Sequence, residues 1–178
     1  MKRLFGIVFF ALCVINISIV AVGPKKEKPL VVVSCMYNNA EWVEIMLDSV
    51  FRQNYSNFRV ILTDDGSTDG TAEIIQAYID RHGLSDRIIL LVNKERRRKL
   101  ANLYRVLYRC DDMEIAVMVD GDDKLADNED IFSFINDLYD DHDIWFTYGQ
   151  YRNEPATEAR EWGFSPRGFA QPVPARCV

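Results

Sequence analysis

A basic excess is missing from this chain, in which 21 Lys and Arg stand against 27 Asp and Glu for a formal net charge of -6. A surface that wraps nucleic-acid phosphate needs a basic face, so nucleic-acid binding is excluded as the organising function. Cysteine is sparse too. Cys13, Cys35, Cys110 and Cys177 are scattered with no CxxC pair, which excludes a small disulfide-stapled framework and a cysteine zinc site. They read as reduced thiols. No internal repeat is present, and 178 residues with 48% hydrophobic side chains can bury one α/β core but hardly two.

Long apolar runs are absent from the body of the chain, but one opens it. Lys2 and Arg3 precede an apolar run from Leu4 to Val22 that no polar stripe interrupts, and Pro24, Lys25, Lys26 and Lys28 follow. The run is near the lower length for a membrane-spanning helix and also suits a long signal-peptide core. A cleavage site is poorly written: Ala21 is small, but Ile19 stands two residues before it, and a cut after Gly23 would put Pro24 first. Residues 1–28 are therefore read as an uncleaved membrane anchor with a basic linker. The alternative is a signal peptide and a secreted or exported product. Positive charge on both flanks leaves the orientation open.

Beyond the linker, Leu30 to Cys35 is a β-branched run, and comparable runs recur at Arg59 to Thr63, Ile88 to Val92, Ile115 to Val119 and Ile144 to Tyr148. Apolar throughout instead of alternating, they predict five buried strands of a mainly parallel sheet covered on both faces. Helical periodicity fills the gaps. Trp42, Ile45 and Met46 share one face; Ile74, Tyr78 and Ile79 a second; Leu100, Leu103, Tyr104, Leu107 and Tyr108 a third; Ile131, Phe134, Ile135 and Leu138 a fourth. All four stripes are expected to face the core. Asn39, Asp69 or Thr71, and Asp127 are placed to cap the first, second and fourth helices. The alternation predicts a doubly wound α/β domain over residues 29–150, with ligands outside the carboxyl ends of its strands. Residues 151–178, with Pro155, Pro166, Pro172 and Pro174, read as an irregular tail.

Those strand ends carry the chemistry. The loop after the second strand reads DDGSTDGT, Asp64 to Thr71. Alone this is turn and cap chemistry, but at a strand end a carboxylate is placed to accept the N–H of a nucleobase. The loop after the fourth strand, VDGDD, crowds Asp120, Asp122 and Asp123 into four residues. Like charges so close repel, and a hard divalent cation relieves them. The first strand ends in SCMYNN, where Tyr37 is placed to stack on a base. The basic run Asn93 to Lys99 follows the third strand; as a rule such a run is a solvated loop, but here Arg98 or Lys99 is placed to meet a diphosphate.

In order and spacing these four loops resemble the family 2 glycosyltransferases of the GT-A fold, over about Leu30 to Tyr148, with DDGSTDGT and the DxD-type VDGDD as the specific pair. The resemblance implies a nucleoside-diphosphate-sugar donor, UDP-sugar favoured, and Mn2+ or Mg2+. By position it implies that Tyr37 lies against the base, Asp65 accepts from it and Asp64 supports the loop. Asp120 would face the ribose side, Asp122 would hold the metal, and Asp123 would share either role. It also implies transfer with inversion to an unknown glycan, lipid or protein acceptor. The base for that step lies, in the family, beyond the metal motif, where this chain offers Glu154, Glu158 and Glu161 with no pattern to assign one. Cys35 and Met36 replace the family's Pro-Thr, and Leu100, Ala101 and Asn102 replace its Ala-Arg-Asn, which leaves base and sugar preference open. Two other readings compete. One is a non-catalytic module that holds a nucleotide sugar. The other is a phosphoacceptor domain of flavodoxin-like type, ranked last because its acidic pair follows the first strand and the pair here follows the second.

Overall fold

The computed structural model describes residues 25–141 and 144–149. In chain order they form β1 (Leu30–Met36), α1 (Val43–Phe51), β2 (Phe58–Asp64), α2 (Thr71–His82), β3 (Ile88–Val92), α3 (Lys99–Leu107), β4 (Ile115–Met118) and α4 (Ile131–Asp141). The strands make one parallel sheet in the order β3-β2-β1-β4. The chain first winds outward from β1 to β3 and then returns to β1's other side. β1 and β2 are thus interior, which is why their sequences stay apolar on both faces.

The two faces are unequally covered. On one, Val43, Met46, Leu47 and Val50 of α1, Ile75, Tyr78 and Ile79 of α2 and Phe132 of α4 pack against Leu30, Val32, Val60 and Leu62. On the other, Val31, Val33 and Ile61 meet Val106 of α3, with Leu103, Leu91 and Cys110 partly buried around them. Phe132 is fully buried, edge-on to Tyr55 and Phe58 with centroids 6.1 Å and 5.1 Å away.

Several expected details are corrected. The run Ile144–Tyr148 forms no strand, and Trp145, Phe146 and Tyr148 are exposed. An apolar run becomes a strand only when a neighbour supplies hydrogen bonds, and among the described residues nothing pairs with the outer side of β4. In α1 the inward face is Val43, Met46, Leu47 and Val50, while Trp42 and Ile45 face outward. In α3 nearly the whole anticipated core stripe is outside: Leu100 is 79% and Tyr108 76% exposed, and Tyr104 and Leu107 are exposed as well. Its buried residues are Asn102 and Val106. Asn102 is drawn inward because its carboxamide oxygen accepts from Asn93 Nδ2 at 2.8 Å, and this turns the helix. The α4 stripe is also shifted, with Phe132 and Asn136 buried and Phe134 exposed.

The caps differ as well. Asn39 accepts the first amides of α1 through its backbone carbonyl, from Trp42 at 2.9 Å and Val43 at 3.0 Å, while its side chain turns back to Tyr37 N–H. Asp127 pairs with Arg52 and Lys124. The N-terminus of α4 is instead served by Gln53, whose Oε1 accepts from Ile131 at 2.9 Å and Phe132 at 3.4 Å.

The basic linker is part of the fold. Glu27 Oε2 accepts from Ser56 N, Ser56 Oγ and Asn57 N, while Lys25 and Lys28 reach Asp137 and Asp140 on α4. The run Leu4 to Val22 lies outside the described residues, as does the whole tail 151–178. Among the described residues, no helix is long and apolar enough to cross a membrane.

Candidate functional site

The carboxyl ends of β1, β2 and β4 and the start of α3 meet at the point where the strand order reverses, the expected place for a crevice in a doubly wound sheet. Their loops are laced together. Ser67 Oγ accepts from Asn38 N at 2.9 Å, Asn38 Oδ1 accepts from Thr68 N at 2.9 Å, and Asp69 Oδ2 accepts from Ala40 N at 2.9 Å. Asn38 takes a positive φ of 56° to allow this. Asp64, fully buried, accepts from the backbone N–H and the hydroxyl of Ser67. Asp69 Oδ1 accepts from the Thr71 N–H and hydroxyl at the start of α2, beside Gly70 in the left-handed region. For these residues the plain turn-and-cap account holds, and Asp64 supports the loop.

Asp65 behaves differently. It is buried under the basic run, and its oxygens accept from Arg97 N–H and Arg98 N–H, both at 2.7 Å, and from Asn93 Nδ2 at 2.9 Å. Burial pushes its carboxyl up, but hydrogen bonds from the Arg97 amide, Asn93 and the Arg98 amide outweigh this and hold it below the ordinary carboxylate range. One carboxylate therefore fixes the path of residues 96–99. Arg98, at a φ of 69°, is the residue before α3, and Lys99 is its first.

A small cleft of about 80 Å³ opens here, lined by Cys35, Met36, Tyr37, Asp65, Arg96, Lys99 and Asn102. Tyr37 is 37% exposed, with the Arg96 guanidinium 3.7 Å from its ring centroid. Arg96 Nε is also 4.0 Å from Asp65. Lys99 Nζ bridges both oxygens of Asp120, at 2.5 Å and 2.6 Å. The Arg98 side chain is not among the lining groups. The structure thus brings Tyr37, Asp65 and Lys99 together around one opening, with Asp120 tied to it through Lys99.

The acidic loop is more open than the apolar strand before it suggests. β4 is an edge strand, half exposed, and Asp122 and Asp123 are exposed, so reduced solvation does not crowd all three carboxylates. Burial and the charges of Asp122 and Asp120 raise the carboxyl of Asp123, so mutual repulsion persists. Among the described residues no three His, Cys, Asp or Glu side chains converge to hold a metal. The donor set nonetheless suits a hard cation held by one or two carboxylates and completed by phosphate oxygens of a ligand, the usual arrangement for Mg2+. Gly121 is essential to that placement. A Cβ there would stand 2.6 Å from Met36 Cγ and 3.0 Å from Asn39 Oδ1, so only glycine lets the loop lie against the end of β1.

Arg96, Asn93 and Asn102 were not singled out by pattern. Asn102 carried a signal, as a polar residue inside an apolar helix stretch. It is fully buried and its Nδ2 has no hydrogen-bond partner.

Comparison with known proteins finds relatives of the same fold. The Bacillus subtilis protein EpsE is 39% identical over 101 residues, 57% of this chain and 34% of its own length. The glycosyltransferase GlyG of Streptococcus pneumoniae is 28% identical over 97 residues, 54% of this chain and 31% of its own. Among solved structures, the mannosyltransferase PcManGT from Pyrobaculum calidifontis, in complex with GDP-Man and Mn2+, superposes with a TM-score of 0.55 at 28% identity, covering 64% of this chain and 32% of that one. S. aureus TarS 1-349 in complex with UDP-GlcNAc shares the fold, with a TM-score of 0.54 at 24% identity over 64% of this chain and 32% of that one. The chain spans about a third of the length of these relatives. Residues 31–172 match the family described as Glycosyl transferase family 2, and the chain belongs to that family.

Proposed function

We propose that this chain carries the donor side of a glycosyltransferase that binds a nucleoside-diphosphate sugar, a uridine one before others, together with Mn2+ or Mg2+, and passes the sugar with inversion to an acceptor hydroxyl on a glycan, lipid or protein. The observation that carries the reading is the cleft at the sheet's switch point, where an aromatic ring, a buried carboxylate and a lysine meet and the lysine holds the first aspartate of VDGDD. Tyr37 offers a face to the base, and Asp65, with three of its roughly four acceptor positions filled, keeps one for a base N–H. Lys99 is within the cleft to meet the diphosphate, with Arg98 behind it at the head of α3. Asp122, Asp120 and Asp123 are the residues that would hold the metal, which when bound supplies Lewis-acid stabilisation of the charge left on the diphosphate. A carboxylate on the opposite face of the sugar must take the acceptor proton in an inverting transfer. Glu154, Glu158 and Glu161 lie outside the described residues and none is assigned that task.

Thermal melting tests the metal and nucleotide together. Ligand at about 100 times its Kd stabilises by roughly 2.7 kcal/mol, a shift of several degrees for a domain of this size. The wild type is expected to shift most with Mn2+ and UDP combined. Asp122→Asn should lose that combined shift and, in metal-free buffer, melt no lower than wild type because repulsion on Asp123 falls. A combined shift equal to wild type would reduce VDGDD to an acidic turn.

The second reading, a module that holds nucleotide sugar without transferring it, is favoured by Lys99 occupying Asp120 and by the absence of a three-ligand cluster among the described residues. Turnover of UDP-sugar by the full-length gene product separates the two. We further propose that the protein sits on a membrane through Leu4 to Val22. Fractionation with N-terminal mass analysis is expected to find an intact start in the membrane pellet; a soluble species beginning near Val22 would mean signal-peptide cleavage and export.

A further inference from the structure

Lys99 and Asp120 come from different elements, and both are fixed from behind. Asp65 holds the amides of Arg97 and Arg98 and so sets where α3 begins, while Gly121, lodged against Met36 and Asn39, sets where Asp120 stands. The resulting contact is two-pronged: one ammonium engages both oxygens of the carboxylate. The first carboxylate of VDGDD is therefore already neutralised by a cation of the protein's own, at the edge of a cleft that also contains Asn102, a buried donor without a partner.

We propose that Lys99 is an internal counter-ion that exchanges partners on ligand binding: it holds Asp120 when the site is empty and transfers to the diphosphate when a divalent cation takes Asp120, so that it couples the two ligands. This rests on the donor-site reading above. The physical basis is competition for one carboxylate. A divalent cation arriving alone must displace Lys99 or share Asp120 with it, and either lowers its affinity. A diphosphate gives the ammonium a second anionic partner within the cleft and removes that antagonism. Coupling of this kind is reciprocal, so metal raises nucleotide affinity by the same factor that nucleotide raises metal affinity. Because the Lys99–Asp120 pair is half exposed, the factor is modest.

The experiment is Mn2+ binding to the full chain, read by EPR or calorimetry, with and without saturating nucleotide, using whichever of UDP and GDP binds the wild type more tightly. The enhancement of Mn2+ affinity by nucleotide is expected to be about 3- to 10-fold larger in wild type than in Lys99→Met, an effect the size of an exposed ion pair plus local charge repulsion. Lys99→Met is expected to bind Mn2+ alone about that much more tightly than wild type, and to keep only the part of the enhancement that direct contact between metal and diphosphate supplies. Lys99→Arg, which keeps the charge and the two-pronged contact, should keep the coupling. If Lys99→Met shows the same Mn2+ affinity and the same enhancement as wild type, the exchange is overturned and the donor site stands. If neither nucleotide nor Mn2+ binds any of the three proteins, the donor-site reading and the exchange fall together.

Discussion

Asp65→Ala is expected to remove most nucleotide binding and to destabilise the domain by about 3 kcal/mol, because it leaves buried donors unpaired at roughly 1–3 kcal/mol each with incomplete additivity. The donors are the amides of Arg97 and Arg98 and the Nδ2 of Asn93. Without the carboxylate nothing fixes residues 96–99, so Arg96 leaves Tyr37 and Lys99 leaves Asp120. Calorimetry with several nucleotides separates two contributions. Loss of the loop alone weakens all nucleotides alike, whereas loss of a base contact changes their ranking. Unchanged affinity and ranking would remove Asp65 from the site. The charge also has a pH signature. Asp65 has a folded-state pKa below its unfolded value, so the stability it contributes is present above the ordinary aspartate range and is lost as pH falls through the depressed value. Denaturant midpoints for wild type should therefore fall on acidification below about pH 4, and those of Asp65→Asn should fall less steeply.

Phe132→Ala should have the largest effect on stability alone, about 3–5 kcal/mol, as expected for emptying an aromatic site that cannot collapse. The ring is fully buried between Tyr55, Phe58 and the strands, and it is the principal anchor of α4 on the sheet. Urea unfolding should show a lower midpoint with an unchanged slope, since the same surface is exposed on unfolding. Nucleotide affinity of the remaining folded protein should be unaltered, because the rings packed against Phe132, Tyr55 and Phe58, do not line the cleft. A loss below about 1 kcal/mol would show that α4 can repack, and would weaken the account of a core concentrated on the α1, α2 and α4 face.

The sheet and the position of the site were legible in the residues themselves. Continuous β-branched runs at Leu30, Arg59 and Ile88 allow little except buried parallel strands, and polar loops that follow such strands must gather at one edge. Four loops in the right order were enough to imply the family that the comparisons then showed. What the residues did not determine was which way amphipathic surfaces turn. Helix α3 carries apolar side chains around most of its circumference, and its inward face was selected by the Asn93–Asn102 hydrogen bond, a long-range contact that no period of 3.6 residues encodes. The run at Ile144 has strand composition, but a strand exists only where another backbone pairs with it. The resemblance implied different roles for Asp64 and Asp65, which local turn chemistry by itself does not distinguish. Their division, one turned into its own loop and the other under the basic run, depends on residues 96–99 being brought across the sheet. Adjacent side chains at a strand end point to opposite sides, and only the neighbours supplied by the fold decide what each one meets.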